Sequence, residues 1–224
     1  MIRSILLSVF VGASVILSAS CAQASIDSVM NQADISGNVQ GTTNHFGNTT
    51  GGLGLRGSLF SDGFFGTAKY RHAFGPAFEG YTGGDSNTLA LKLGYLFPAS
   101  ASLAVGPYLG YAYNRFAEDN AYYGFHAAQT LDDLGGGLYA AASLPGAELT
   151  GYVGYLGGIS ETDHIAGFVP VQYDNASDLL QVGVNVYYPL IANLSLFIGL
   201  HDDDFTEAGA PNILRGDVGL GAQF

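Results

Sequence analysis

The end of the chain alternates apolar and small or polar side chains at every second position. Between Ile213 and Phe224, one parity carries Leu214, Val218, Leu220, Ala222 and Phe224, and the other carries Arg215, Asp217, Gly219, Gly221 and Gln223. A period of two places each set on its own face of a β-strand. The segment is therefore predicted to be a strand that separates an apolar surrounding from a polar one.

The same alternation recurs and predicts an all-β protein of ten strands. They are expected near residues 33–43, 51–60, 64–74, 87–97, 103–114, 133–144, 148–158, 178–188, 193–202 and 213–224. Tight connections at 61–63, 98–102, 145–146 and 189–193 alternate with longer polar ones. This asymmetry predicts a closed antiparallel transmembrane β-barrel. Eight strands are the alternative, because 33–43 has few large apolar residues and the segments near 133 and 148 are rich in Gly and Ala.

Parity assigns one face of each strand to lipid. The clearest outward sets are Leu89, Leu91, Leu93, Tyr95 and Phe97; Leu103, Val105, Leu109, Tyr111 and Tyr113; Leu180, Val182, Val184, Val186 and Tyr188; and Leu194, Leu196, Ile198 and Leu200. Tyr and Phe gather toward strand ends, which predicts aromatic girdles at two membrane interfaces. A soluble sandwich that buries the same faces in its core is the alternative interpretation.

The amino terminus has the three parts of a secretory signal peptide. Arg3 supplies a positive start, residues 5–17 form an apolar run, and Ala22-Gln23-Ala24 fits the small-x-small cleavage rule. We therefore expect residues 1–24 to be removed and residues 25–224 to form the barrel. The run is shorter than the ~20 residues of a membrane-spanning helix. Lipoprotein processing at Cys21 is a further alternative, although Leu17 lies one place too far back for it.

Composition and charge limit the partners. The chain has 33 Gly, 14 Tyr and 14 Phe, only 12% charged residues, and a net charge of −12. Such an acidic chain lacks the basic surface that phosphate binding needs, so a nucleic-acid partner is excluded. No pattern calls for a cofactor or a metal. The expected surroundings are membrane lipid, which only helices or closed strand ladders can cross.

The polar parity of the strands carries most of the charge chemistry. Of the six basic residues after position 24, five point inward: Arg56, Lys69, Arg71, Lys92 and Arg215. The acidic residues of the same parity, their expected partners, are Asp34, Asp133, Glu148 and Asp217. Two interpretations stay open: a narrow barrel filled by side chains and salt bridges, or a pore whose cationic wall selects small anions. The small number of strands favours the filled barrel.

The whole chain after residue 24 resembles the small outer-membrane β-barrel proteins of Gram-negative bacteria, including the porin-like and opacity-type groups. Members of that family typically end in Phe, and the resemblance implies that the barrel-assembly machinery reads Phe224. It also implies integral outer-membrane location, with lipopolysaccharide in the surroundings. An even strand count places both termini on the periplasmic side.

A second resemblance covers the first half of the predicted barrel. The segments GGLGLRGSLFSDGFF (51–65), LGYLF (93–97) and YLGYAY (108–113) are similar to the small outer-membrane proteins associated with bacterial cellulose biosynthesis. This implies an alternative function as an accessory protein of exopolysaccharide synthesis or export, with polysaccharide as a partner.

An outer-membrane hydrolase is a further alternative, because His201 and the Asp202-Asp203-Asp204 run resemble the His and carboxylate arrangement of omptin proteases and lipid A deacylases. The deacylase pattern is His-x-Ser, and no His of the chain offers it. Omptins have tall extracellular strands, which the predicted strands here lack. We therefore expect no enzyme, no catalytic residue, and His201 as a rim residue paired with a loop carboxylate.

The remaining acidic residues are expected in or beside the long loops. They are Glu118, Asp119, Asp132, Asp174, Asp202, Asp203, Asp204 and Glu207. Hard oxygen ligands of this kind can bind Ca²⁺ or Mg²⁺, but no Ca²⁺-binding loop spacing is present, which favours a solvated loop surface. The predicted function is a narrow porin-like or structural envelope protein with a cationic inner wall.

Overall fold

The computed structural model of the chain describes residues 26–42, 49–74, 84–120, 125–165, 168–173, 177–205 and 213–224. The predicted signal peptide lies outside these residues. The elements are α1 (Ile26–Met30), β1 (Gln32–Thr42), β2 (Thr49–Ser61), β3 (Phe64–Phe74), β4 (Gly84–Tyr95), β5 (Phe97–Ser100), β6 (Leu103–Asn120), β7 (Phe125–Leu144), β8 (Ala147–Ile165), β9 (Val171–Tyr173), β10 (Leu179–Ile191), β11 (Leu194–Phe205) and β12 (Ile213–Gln223). None of the helices in the described ranges has the length and apolar character to cross a membrane.

Ten of these strands form a closed antiparallel ring. β4 and β5 are two parts of one barrel strand, because both pair with β6 on either side of Leu96, and β9 is a short addition to the far end of β8. Around the ring the order is β1-β2-β3-β4-β6-β7-β8-β10-β11-β12, and β12 pairs with β1. The predicted ten-stranded barrel is confirmed, and the alternative of eight strands is wrong.

The two ends of the barrel differ in their connections. At one end, called the turn end, two-residue turns join β2 to β3, β5 to β6, β7 to β8 and β10 to β11. Asp62 and Gly63 both have positive φ, 52° and 86°, as a tight hairpin turn between twisted strands requires. The helix α1 and the last residue, Phe224, lie at this end as well. The opposite end, where the longer connections join the strands, is called the loop end.

Three neighbouring strands are taller than the alternation indicated. β6, β7 and β8 have 18, 20 and 19 residues, whereas about 9–11 residues cross a bilayer. The predicted segments 103–114, 133–144 and 148–158 stop where the apolar alternation stops. Beyond the bilayer the outer face of a strand meets water instead of lipid and no longer has to be apolar, so the periodic signal disappears although the strand continues. The expectation that the chain lacks tall strands is therefore wrong for these three.

The outer wall of the barrel is apolar. On all four segments assigned to lipid the apolar parity points away from the interior, and Leu93 and Leu109 are 68% and 73% exposed. The aromatic residues of this wall lie at two different heights. Near the turn end, Tyr95 contacts both Phe64 and Phe97, and Tyr70, Tyr111, Tyr113 and Tyr155 lie farther along their strands. A soluble sandwich would bury these faces, whereas a lipid-facing barrel exposes them between two interfaces.

The inside of the barrel is filled in three layers. An apolar layer at the turn end contains Val29 and Met30 of α1, both fully buried, together with Phe65, Leu96, Ala104, Tyr108, Tyr139 and Ala141. A second apolar layer lies toward the loop end and contains Ala112, Leu131, Leu156, Leu179, Phe205 and Ile213. Charged side chains lie between the two. The helix α1 was not predicted, because its five residues are too few to show a helical period.

β1 and β12 form the strand pair that closes the ring, and two glycines of β12 provide a matched test of their contact. A Cβ on Gly219 would lie 2.0 Å from the carbonyl oxygen of Ile35, whereas a Cβ on Gly216 would meet nothing within 4 Å. We expect Gly219→Ala to destabilise the barrel by about 1–3 kcal/mol, since backbone must move to admit the methyl group. Thermal unfolding, followed by heat-modifiable migration on gels, measures the effect.

Gly216→Ala is the control for this change, because its methyl group would face outward from the same strand. It should leave the unfolding temperature near that of the unchanged protein. Equal losses from the two substitutions would contradict the register of β12 against β1.

Candidate functional site

The five basic residues that the sequence places on the inward parity come together in the barrel interior. Arg56, Arg71, Lys92 and Arg215 are buried, and the side chain of Lys69 is 13% exposed. All five line one cavity of 30 Å³, together with Thr67, Thr88, Ala90, Tyr139, Tyr152, Gln181, Asn185, His201 and Asp203. This volume holds about two water molecules, so the middle of the barrel is nearly filled.

Asp217 is the centre of the largest charge cluster. Its Oδ2 lies 2.6 Å from Lys69 Nζ, 2.7 Å from Arg71 Nη2 and 3.0 Å from His201 Nε2, and its side chain is fully buried. Lys69 and Arg71 alternate inward on β3, while Asp217 lies on β12. Since β1 and β2 separate these strands in the ring, the cluster joins two parts of the wall directly across the interior.

His201 belongs to this cluster, not to the rim. It is 2% exposed, and its Nδ1 lies 3.0 Å from the hydroxyl oxygen of Tyr152. Its Nε2 lies 3.0 Å from Lys69 Nζ in addition to the Asp217 carboxylate. The interpretation of His201 as a rim residue with a loop partner is therefore wrong. The reason is that β11 continues to Phe205, which moves His201 down into the wall.

A second ion pair joins β1 to β2. Arg56 Nε lies 3.5 Å from Asp34 Oδ2, and the Tyr187 hydroxyl donates a hydrogen bond of 3.1 Å to the same oxygen. The Arg56 guanidinium lies 5.4 Å from the centre of the Tyr187 ring. The buried carboxylate is thus held by one cation and one hydroxyl, and the cation has an aromatic face as a further neighbour.

Arg215 pairs with a residue that the sequence analysis assigned to the loops. Its Nη1 donates to the carboxylate of Asp203, and its Nε donates to Gln40 Oε1 at 3.1 Å. Asp203 is buried and points inward from β11, so its assignment to the loop surface is wrong. The run of three Asp residues concealed its parity, because its neighbours Asp202 and Asp204 have the same chemistry but point the other way.

Lys92 differs from the other four cations. Its Nζ lies 4.0 Å from the ring centre of Tyr152 and 5.6 Å from that of Tyr108. It makes no salt bridge with any carboxylate in the described part of the chain. Two aromatic faces therefore surround a buried ammonium group that lacks a paired negative charge.

The other two predicted acidic partners lie apart from the basic residues. Glu148 is near the turn end, where its Oε2 accepts hydrogen bonds from Gln32 at 2.9 Å and Gln223 at 2.7 Å. Asp133 is fully buried on β7 and makes no ion pair within the described ranges. Neither residue lines the cavity. Of the four acidic residues expected to pair with the basic ones, the structure brings Asp34 and Asp217 to them.

The remaining predicted sites are on the outside or at the ends. Arg115, the sixth basic residue, is half exposed and lies 4.0 Å from Asp85. The described residues contain no group of three or more His, Cys, Asp or Glu side chains that could hold a metal ion. Asp174 and Glu207 lie outside the described residues. Phe224 is 70% exposed at the turn end, and its amide donates to the Asn31 carbonyl at 3.3 Å.

Comparison with known proteins identifies the fold. No family model and no curated protein matches the sequence. The outer membrane protease OmpT from Escherichia coli is similar in structure, with a TM-score of 0.51, 12% identity, and coverage of 86% of this chain and 96% of that one. The translocator domain of the autotransporter NalP from Neisseria meningitidis has a TM-score of 0.43, 13% identity, and coverage of 99% and 96%.

The attachment invasion locus protein Ail of Yersinia pestis has a TM-score of 0.42, 10% identity, and coverage of 87% and 99%. At such identities a likeness shows the fold alone, and scores below 0.5 add no argument. The chain therefore has the fold of integral outer-membrane β-barrels. The likeness to a protease assigns no activity to it.

The Asp217 cluster generates a stability prediction. Asp217→Asn removes the carboxylate charge that faces Lys69, Arg71 and His201, and so leaves buried cations without this counter-charge. We expect a loss of about 3–5 kcal/mol in the free energy of unfolding. Urea unfolding of the refolded barrel in lipid vesicles measures this quantity.

Asp85→Asn is the matched control, because it removes a carboxylate from the half-exposed pair with Arg115. Exposed pairs of this kind contribute at most about 1 kcal/mol. An Asp217→Asn barrel as stable as the Asp85→Asn barrel would show that the interior cluster is not desolvated as described.

Proposed function

We propose that this chain is a structural protein of the bacterial outer membrane whose barrel is sealed, and that it does not act as an open porin. The observation that carries the proposal is that side chains occupy the barrel interior at the turn end, in the middle and toward the loop end. An apolar layer containing α1 closes the turn end, ion pairs fill the middle, and a second apolar layer lies toward the loop end. The cavity between them has a volume of only 30 Å³.

The layer at the turn end is the stronger barrier to ions. Val29 and Met30 are fully buried against Phe65, Leu96 and Tyr139. An ion passing this layer would lose its hydration shell in exchange for apolar side chains, which is costly without a compensating charge. A continuous water path through the barrel would require α1 to leave its position.

A narrow anion-selective porin is the second candidate, and the charges of the interior favour it. Five basic residues line the cavity, and three carboxylates, those of Asp34, Asp203 and Asp217, are paired with them. A wall with surplus positive charge would favour anions over cations. This candidate needs an open conformation of the turn end, whereas the sealed barrel does not.

We propose no catalytic role for the His201 and Asp217 pair. Both side chains are almost completely buried, and the adjoining cavity holds about two water molecules. Acyl transfer needs a nucleophile and base within reach of a substrate, and a space of this size admits none. The role in exopolysaccharide synthesis or export implied by the cellulose resemblance stays a prediction.

The orientation and surroundings are part of the proposal. The turn end, with both termini, would face the periplasm, and the loop end would face the outside among lipopolysaccharide. The arrangement of short turns and longer loops supports this orientation, as it is typical of outer-membrane barrels. Residues 1–24 would direct export, and the barrel-assembly machinery would recognise the strand that ends at Phe224.

Ion conductance separates the two candidates. The refolded chain, residues 25–224, should give no stable current steps in a planar lipid bilayer, because α1 and the ion pairs fill its interior. A known open porin, inserted under the same conditions, controls for the competence of the bilayer. Regular, chloride-selective steps from the unmodified barrel would overturn the sealed-barrel proposal in favour of the porin.

Assembly gives an independent test of the membrane role. Replacing Phe224 by Asp puts a charge on an exposed aromatic position at the end of β12 and should strongly reduce the folded barrel in isolated outer membranes. Phe224→Tyr, which keeps the aromatic ring, should assemble normally. A normal yield of folded Phe224→Asp on heat-modifiability gels would refute the role of this residue in assembly.

A further inference from the structure

Side chains of eight strands line the cavity in the charged layer, and these strands are β2, β3, β4, β7, β8, β10, β11 and β12. Apolar layers lie on both sides of the cavity along the barrel axis. Its volume of 30 Å³ is enough for about two atoms of the size of a water oxygen.

The charges around the cavity do not cancel. Arg56 pairs with Asp34, Lys69 and Arg71 share Asp217, and Arg215 pairs with Asp203. The ammonium group of Lys92 lies beside the faces of Tyr108 and Tyr152 and makes no salt bridge with a carboxylate of the described residues. The other buried acids in these ranges, Asp133, Glu148 and Glu161, do not line the cavity. Among the described residues at the cavity, five formal positive charges therefore face three paired carboxylates.

Hydrogen-bond donors are also left over beside the same space. Arg56 Nη2, Arg71 Nε and Arg215 Nη2 are buried and have no hydrogen-bond partner among the described residues. All three residues line the cavity. A water molecule could accept such a hydrogen bond, but it would leave the excess charge in place. An anion would accept the hydrogen bonds and neutralise the charge together.

We propose that the cavity binds a monovalent inorganic anion of halide size, held by Lys92 and by guanidinium groups of the surrounding arginines. The small volume of the space favours a small anion, and the surplus charge and the unpaired donors favour a hydrogen-bond acceptor. This inference goes beyond the proposed function, since it depends on the charges and donors that line the cavity and not on whether the barrel conducts.

Bromide is the probe for locating the anion. Crystals of the full barrel grown in sodium bromide should show an anomalous peak inside the cavity, in contact with Lys92 Nζ and at least one guanidinium group. Lys92→Met, which keeps the length of the side chain and removes its charge, should lack the peak. Arg115→Gln, which changes a basic residue outside the cavity, should retain it.

A solution measurement tests the same site without a crystal. The protein is unfolded in urea and refolded in sodium chloride or in sodium gluconate at equal ionic strength, because gluconate is too large for the cavity. The midpoint of thermal unfolding should rise by about 3–5 °C for each tenfold increase in chloride above the dissociation constant. Arg115→Gln should show the same dependence, and Lys92→Met should show none.

Two results would overturn the proposal. One is a bromide map without a peak in the cavity, including a map whose peaks lie only on the protein surface and mark adventitious ions. The other is an equal chloride dependence for Lys92→Met and the unmodified barrel. If Lys92→Met does not fold, the bromide map of the unmodified protein decides alone. A conducting barrel that binds bromide would refute the sealed-barrel function and leave the anion site standing.

Discussion

The fold depends on one constraint: lipid offers no hydrogen bonds to backbone N–H and C=O groups. Each strand must therefore pair on both sides, and the pairings of β12 with β1 and of β8 with β10 complete the ring. Once the ring is closed, the period of two in each strand assigns its residues to two different surroundings. One parity faces lipid and the other faces an enclosed space, so the polar residues of the strands must satisfy one another inside.

That requirement explains the chemistry of the interior. Asp217 accepts contacts from Lys69, Arg71 and His201 because each of these groups would be costly to bury without a counter-charge. The resulting links across the barrel occupy the space that a wider barrel would leave to water. In the proposed sealed barrel, the ion pairs that neutralise the buried charges also obstruct the interior, together with the apolar layer around Met30 at the turn end.

The sequence predicted what period-two alternation controls and missed the rest. The inward parity of Arg56, Lys69 and Arg215 follows from counting along each strand. The burial of Asp203 was concealed by identical neighbours, and α1 is too short to show a period. The loop-end parts of β6 to β8 carry no clear alternation, because their outer faces meet water instead of lipid and do not have to be apolar. The pairing of Arg71 with Asp217 depends on how the closed ring brings β3 and β12 together across the interior. The alternation within one strand holds no information about that arrangement.

Contact of the apolar parity with lipid can be measured on a single strand. Nitroxide labels are placed at positions 196, 198 and 200 of β11, and the labelled barrels are reconstituted into vesicles. All three positions point outward from the barrel, whereas Asn193 lies in the adjoining turn. We expect the labels at the three strand positions to collide often with oxygen and rarely with a water-soluble nickel complex, and a label at position 193 to show the reverse. Nickel collisions at Ile198 as frequent as those at Asn193 would contradict it.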